Sequence, residues 1–230
     1  MLKFSIVFYH RRWKFANCRW YHQTGRMSVL MKQVSPIMET KESLVLASAS
    51  PRRAELLRLL DVDFEILPCQ VSEHRLTGET PEVMVQRLAY AKARTVRDLR
   101  PTSTVVGADT VVVLEDQVFG KPDSIEDAGR MLRFLSGRTH FVLTGICVFR
   151  GHTNLVDFSR TAVRFNPMSD REITGYLNTG EPLDKAGAYA IQGVASRFIE
   201  RVEGCYFNVV GLPLSLLYHM LKRMGFRFDG

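Results

Sequence analysis

From Ser43 onward, apolar runs of strand length alternate with stretches whose apolar residues recur at helical spacing, and this pattern predicts one α/β domain. Residues 43–48 (SLVLAS) form a short apolar strand. Residues 51–60 follow as a helix with Leu56, Leu57, Leu59 and Leu60 on its apolar face. Pro51 suits the first helical position because it needs no amide hydrogen and its φ is preset, and Ser50 is the expected cap. Residues 64–68 read as a second strand. Residues 81–99 read as a long helix with Leu88, Ala91 and Thr95 on one stripe and Lys92 one turn after Leu88. Two apolar runs, 104–108 and 111–114, bracket Asp109 and Thr110, after which Glu115 and Asp116 turn the chain into 117–119.

In the second half, Ser124 with Asp127 opens a helix that runs to Leu135 and stops at Gly137, and Ser169 with Glu172 opens another that Gly180 closes. Between them, residues 141–150 and 154–165 make a hairpin turned at Gly151 and His152. Residues 197–203 add a strand and 213–224 a closing helix. Hairpins mixed with crossover units predict a mixed central sheet flanked by helices.

Composition changes this picture little in the main domain and much in the first 42 residues. With 230 residues, 46% hydrophobic and 24% charged, the chain can bury a real core, which excludes a disordered polymer, a collagen-like repeat and a disulfide-stapled miniprotein. Largely apolar runs such as 4–9 and 111–114 fall far short of the roughly 20 residues a spanning helix requires, so no membrane is expected. The net charge of +7 is concentrated at one end. Eight Lys/Arg against Glu39 and Glu42 make residues 1–42 a +6 extension, leaving +1 for residues 43–230 and no field with which the core would hold nucleic acid.

That extension is basic, aromatic and free of acids before Glu39, which fits either an organellar transit peptide or a leader upstream of a start at Met27, Met31 or Met38. Its apolar run is too short for a secretory signal. Cys18, Cys69, Cys147 and Cys205 are far apart with no CxxC pair, as reduced intracellular thiols would be. The expected location is cytoplasmic, or mitochondrial if residues 1–42 are a transit peptide.

Chemistry is first signalled by the string LASASPRRAELL. Arg52 and Arg53 occupy the first turn of a helix, where the macrodipole disfavours cations, so they make sense against an anion, with Ser48, Ser50 and free amides adding donors. Pointing to solvent or pairing with Glu55 is the duller alternative. Asp109, in GADT at the end of an apolar run, is placed to reach a cleft, or else to cap a turn. Lys121 follows in a GKP turn. Glu73 precedes a helix bearing Arg87 and Lys92, and each of these charges taken singly is an ordinary surface group. In EPLDKAGAYAIQG, Gly187 and Gly193 bracket Tyr189 and Gln192, a loop that lets a ligand approach and offers an amide to a flat heterocycle. His74, His140, His152 and His219 have no metal-ligand spacing. There is no GxxxxGK[ST] loop and no GxSxG elbow. What remains is a set of cations and carboxylates suited to phosphate and a divalent ion.

Taken in order, SASPRR, the Glu73 segment, RLAYAKA, GADTVVVL, FGKP, GRTHFVLTG, EPLDKAGAYAIQG and ERVEGCYFNVVGLPL resemble the Maf family of nucleotide pyrophosphatases, from about Ser43 to the last helix. The resemblance implies an intracellular, often homodimeric enzyme with two lobes and a cleft, related in shape to inosine triphosphate pyrophosphatases. It implies hydrolysis of a nucleoside triphosphate to the monophosphate and pyrophosphate with a divalent cation, Mg²⁺ or Mn²⁺. By position, Asp109 corresponds to the family's proton acceptor, and Arg52, Thr110 and Gln192 to its substrate-specificity positions. Ser48, Arg53, Glu73, Lys92 and Lys121 match its phosphate and metal pocket, with Glu73 and Asp109 as the metal carboxylates. Thr110 after the acid and the string DKAGAYAIQG resemble the branch acting on dTTP and UTP rather than the branch acting on 7-methyl-GTP. A nucleotide-binding regulator of cell division without turnover is the expectation from a different class. The 42-residue extension and Cys205, where relatives commonly carry an acid, are the departures.

Overall fold

The computed structural model describes residues 43–228; expectations for the extension, with Cys18 and the three candidate starts, lie outside the described residues. A seven-stranded mixed sheet carries the fold. It contains β1 (Leu44–Ala47), β2 (Phe64–Ile66), β3 (Thr104–Leu114), β4 (Gln117–Phe119), β5 (Thr139–Arg150), β6 (Thr153–Phe165) and β7 (Ile199–Glu203), in the order β2-β1-β3-β5-β6-β7 with β4 also on β3. β1 is parallel to β2 and β3, and the β3–β5–β6–β7 run is antiparallel. The helices are α1 (Pro51–Arg58), α2 (Pro81–Leu99), α3 (Ile125–Leu135), α4 (Asp170–Leu177), α5 (Tyr206–Val210) and α6 (Leu214–Arg223), with three short 3₁₀ turns between α4 and β7. Among the described residues no helix is long and apolar enough to cross a membrane.

β3 is the axis of the molecule, and it differs from the sequence expectation. The polar pair Asp109–Thr110 does not end a strand; β3 runs through it unbroken, because β5 pairs with it from Thr104↔Arg150 to Val113↔Phe141. On its other edge β3 is covered by β1 over Thr104–Gly107 and by β4 over Val112–Leu114. The edge from Ala108 to Val111 between them has no strand partner among the described residues. The sheet therefore opens at Asp109 and Thr110.

Strand alternation sends successive residues of β3 to opposite faces. The odd positions Val105, Val111 and Val113 lie under α2 with Val45, Val85, Leu88 and Ala89. On the other face, Val106 and Ala108 belong to a cluster with α1 and α6, whereas Val112 and Leu114 belong to one with α3 and α4. Thr110 stands between these two clusters, and so does its cross-strand partner Thr144. The two lobes meet along that polar seam.

α2 is also phased differently from the expected stripe. Met84, Val85, Leu88, Ala89, Lys92, Ala93 and Val96 are buried, while Thr95 is exposed and Ala91 only partly covered. Its small residues face the sheet because the sheet presents bare backbone. A Cβ at Gly107 would stand 2.4 Å from the Ala89 carbonyl oxygen, and one at Gly145 would stand 2.2 Å from that of Val85.

Local signals set most ends. Pro81 follows the cap Thr80, whose side chain accepts from the Val83 amide; Ser124 caps α3, and Ser169 with Glu172 forms a reciprocal box on α4. Ser50 is the exception. It holds the cap position of α1, but its side chain makes no capping bond, and its own N–H donates to Ser48 Oγ at 3.2 Å. α5 was not legible in the sequence pattern, and residues 194–198 form a 3₁₀ turn rather than the start of β7.

Candidate active site

The open edge of β3 forms the floor of a cleft of 1040 Å³ whose lining includes all nine residues singled out from the sequence: Ser48, Arg52, Arg53, Glu73, Lys92, Asp109, Thr110, Lys121 and Gln192. They come from six separate stretches of chain. Because neighbouring strand residues face opposite ways, Asp109 lies on the α2 side of the sheet and Thr110 on the α1 side, and only an unpaired edge lets one cleft reach both.

On the α2 side, Lys92 Nζ donates to Asp109 Oδ1 and to Glu73 Oε1, each at 2.6 Å. Asp109 and Lys92 are 5% and 9% exposed, whereas Glu73 stands open at the mouth. A buried ammonium is therefore shared by an inner and an outer carboxylate, which is how a lysine can be carried inside without a desolvation penalty going uncompensated. Partial burial pushes the Glu73 carboxyl up, but the hydrogen bond and charge of Lys92, with Lys121 and Arg53 nearby, bring it below the ordinary carboxylate value.

The loop carrying Glu73 is fastened to α2 by a pair that sequence reasoning missed. Glu79 accepts from Arg87 Nε at 2.6 Å and Nη2 at 2.8 Å and from the Leu76 amide at 3.1 Å, while Arg87 Nη2 also donates to the His74 carbonyl. The Arg87 guanidinium hydrogen-bonded to Glu79 holds that carboxyl down at about 2. Glu79 lies only four residues after the expected cluster, at the foot of the helix.

On the α1 side, Arg53 is a strut. Its Nε donates to the Gly211 carbonyl at 2.9 Å, Nη1 to Ser48 Oγ at 3.2 Å and Nη2 to Thr110 Oγ1 at 3.0 Å. It thereby ties β1, β3 and the segment after α5 together around the cleft. Arg52 reaches across the mouth to Asp184, which it meets at 3.6 Å and 3.5 Å through side chain and carbonyl, rather than pairing with Glu55. Lys121 and Gln192 are exposed on the opposite lobe.

Two contacts hold that lobe's loops. The Gly187 amide donates to the Gly120 carbonyl at 3.0 Å, joining the AGA turn to the loop of Lys121. Glu181, also missed, accepts from Tyr176 Oη at 2.7 Å and from the Val194 amide at 2.9 Å, and so clasps the loop of Gln192. Behind it, His140 is fully buried and its Nε2 shares a hydrogen bond with Tyr189 Oη at 2.8 Å, a structural histidine as expected. His74 lines the cleft near Glu73.

The arrangement offers one carboxylate sheltered in the floor, a second at the rim, cations on both lobes and an apolar stretch that includes Val112, Val142, Tyr189 and Ile191. The chain is 50% identical over 182 residues, 79% of its length, to a "dTTP/UTP pyrophosphatase" of Koribacter versatilis, of which 94% is covered. It is 49% identical over 184 residues to one of Geobacillus sp., covering 80% of this chain and 99% of that one. Among solved structures, the Ham1 protein of Staphylococcus aureus aligns over 80% of this chain and 100% of its own at a TM-score of 0.48 and 15% identity. The sequence profile described as Maf-like protein matches residues 43–224, which include every side chain placed in the cleft above, and the chain belongs to the Maf family.

Proposed function

We propose that this chain is a nucleoside triphosphate pyrophosphatase that hydrolyses dTTP and UTP to the monophosphate and pyrophosphate, clearing the nucleotide pool. The observation that carries the reading is the Glu73–Lys92–Asp109 cluster set in the floor of a cleft rimmed by Arg52 and Lys121. The names of its relatives at about half identity supply the substrate class.

In this reading the triphosphate lies between the lobes with its base against the apolar stretch and Thr110 and Gln192. Arg52 and Lys121 approach the phosphates from opposite lobes and counter the charge that moves onto the leaving pyrophosphate. Lys92 fixes the direction of Asp109. The Asp109 oxygen that Lys92 does not engage takes a proton from water as water attacks phosphorus and the α–β bridging P–O bond breaks.

The donor set also fits a divalent cation. Glu73 and Asp109 both touch one Lys92 nitrogen, so their oxygens lie within a few ångströms, and Mg²⁺ typically takes one or two carboxylates with substrate oxygens and water. Among the described residues no group of three or more His, Cys, Asp or Glu gathers as a self-sufficient site. When bound, Mg²⁺ or Mn²⁺ would neutralise phosphate charge and polarise a phosphoryl oxygen.

The test is pyrophosphate release from a panel of dTTP, UTP, dCTP, GTP and 7-methyl-GTP, by the natural chain and by Asp109→Asn. dTTP and UTP are expected to lead, and Asp109→Asn to lower their turnover by about 10²- to 10⁴-fold. Near-normal turnover by a folded Asp109→Asn chain would remove Asp109 from its role. Tight nucleotide binding without product by the natural chain would favour the regulator instead.

A further inference from the structure

We propose that Thr144, which stands one strand behind the cleft, is a positioning residue that sets the polarity of the Thr110 hydroxyl and thereby which bases the cleft prefers. The proposal rests on the reading above that the base lies against Thr110. Thr144 is completely buried on β5 and is the cross-strand partner of Thr110 on β3.

The direction of the hydrogen bonds follows from counting protons. Thr144 Oγ1 lies 3.2 Å from the carbonyl oxygen of Asn208. A carbonyl only accepts, so the single hydroxyl proton of Thr144 points there. The 3.0 Å contact between Thr144 Oγ1 and Thr110 Oγ1 must then use the proton of Thr110. Arg53 Nη2, a donor, reaches Thr110 Oγ1 at 3.0 Å from its other side. The Thr110 hydroxyl is thus left with no proton for the cleft and one remaining lone pair. At this point the site can only accept.

The far end of the chain is anchored as well. Asn208 is completely buried, and its Nδ2 donates to the Val142 carbonyl at 2.9 Å and to Thr161 Oγ1 at 3.0 Å, which holds the carbonyl that takes the Thr144 proton. An acceptor-only position suits the N3–H of thymine and uracil and opposes the bare N3 of cytosine. A site built around one hydrogen-bond polarity discriminates because the wrong base leaves a buried polar group unpaired. Thr144 touches neither substrate nor reacting atoms. It acts through Thr110.

Thr144→Val keeps the shape and removes the hydroxyl, which frees the Thr110 proton to point into the cleft; Thr144→Ser keeps the hydroxyl and removes a methyl. The experiment measures kcat and KM for dTTP, UTP and dCTP with each variant. With Thr144→Val, the preference in kcat/KM for dTTP over dCTP should fall by roughly tenfold, chiefly through KM, and Thr144→Ser should retain it. The double variant with Thr110→Val should change the preference no further than Thr110→Val alone. An unchanged preference in folded Thr144→Val, an equal fall in Thr144→Ser, or additive effects in the double variant would each overturn the relay. Should Thr144→Val fail to fold, Thr144→Cys, whose thiol bonds weakly, takes its place with a smaller fall expected. Thermal stabilisation by dTTP against dCTP reads the same preference without turnover. A natural chain that is stabilised by dTTP yet releases no pyrophosphate overturns the proposed reaction while the Thr144→Val comparison still decides the relay; one stabilised by neither nucleotide overturns both.

Discussion

Asp109 lies directly across from Gly145 in the pairing of β3 with β5, and the side chain that Gly145 lacks is what lets α2 rest on the sheet. A Cβ there would stand 2.2 Å from the Val85 carbonyl oxygen and 2.8 Å from the Gln86 amide nitrogen, both helix backbone. Lys92 is therefore delivered to Asp109 by two strands that omit their side chains under the helix, since Gly107 does the same beneath Ala89 and Ala93.

Gly145→Ala should consequently lift α2 away from the sheet and draw Lys92 from Asp109. Overpacking of a rigid backbone contact is expected to cost about 3 kcal/mol or more, measured by urea unfolding, and to lower pyrophosphate release even where the chain is fully folded. Gly175→Ala, inside α4 and with nothing within 4 Å of the added carbon, serves as the control: it should leave pyrophosphate release unchanged and raise stability by up to about 1 kcal/mol. Normal stability of Gly145→Ala would mean that α2 does not sit where the close approach places it.

Lys92→Met retains the length of the side chain and removes the charge between two carboxylates. Asp109 is then left buried without its cation, so a loss of about 3–5 kcal/mol is expected along with catalysis. The double variant Lys92→Met with Asp109→Asn should recover much of the stability and none of the activity. If the double variant were no more stable than Lys92→Met, the pair would not be coupled as the 2.6 Å contact requires.

Much of this site could be read from the chain because its charged residues sit beside strong local punctuation: Arg52 and Arg53 behind a helix-starting proline, Lys121 in a GKP turn, Gln192 next to Gly193. What could not be read depends on contacts distant in sequence. Two successive polar residues at Asp109 and Thr110 ordinarily interrupt a strand, and only pairing with β5 carries β3 through them. The stripe Leu88, Ala91 and Thr95 is not the buried face of α2 because the sheet sets the phase of the helix: Gly107 on β3 lies against Ala89 and Ala93, and Gly145 on β5 against the backbone of Val85 and Gln86. Glu79, Glu181, Thr144 and Asn208 look like surface or core-filling residues until their partners are known, and the partners lie as far as 66 residues away in the case of Asn208 and Val142.

Arg52 and Asp184 join the two lobes across the mouth of the cleft, with Asp184 largely exposed. Such a pair contributes little to stability, about 0–1 kcal/mol, but it occupies a guanidinium that the phosphates would use. Asp184→Asn should leave the unfolding midpoint nearly unchanged and lower KM for dTTP by about two- to fivefold, an effect that added salt diminishes because it also screens the pair. A raised KM would show that Asp184 assists binding and does not compete with it.

His140 gives the fold a pH dependence whose sign can be worked out. Its ring is completely buried between the edges of Phe165 and Tyr189, its Nε2 is hydrogen-bonded to Tyr189 Oη, and its Nδ1 has no hydrogen-bond partner among the described residues. Burial pushes the imidazole down from 6.5 to about 3. Between those values the unfolded chain binds a proton that the folded chain refuses, so stability is full above pH 6.5 and falls as the pH drops towards 3. Within that window one proton corresponds to about 1.4 kcal/mol per pH unit. His140→Phe should lose stability at pH 7 through the unpaired Tyr189 hydroxyl, yet its stability should decline less steeply than that of the natural chain from pH 6 to pH 4, as urea unfolding at half-unit intervals would record. Carboxylates contribute to both profiles and cancel in the difference. Parallel profiles would mean that the folded chain protonates His140 as readily as the unfolded one, which an imidazole enclosed by the rings of Phe165 and Tyr189 does not permit.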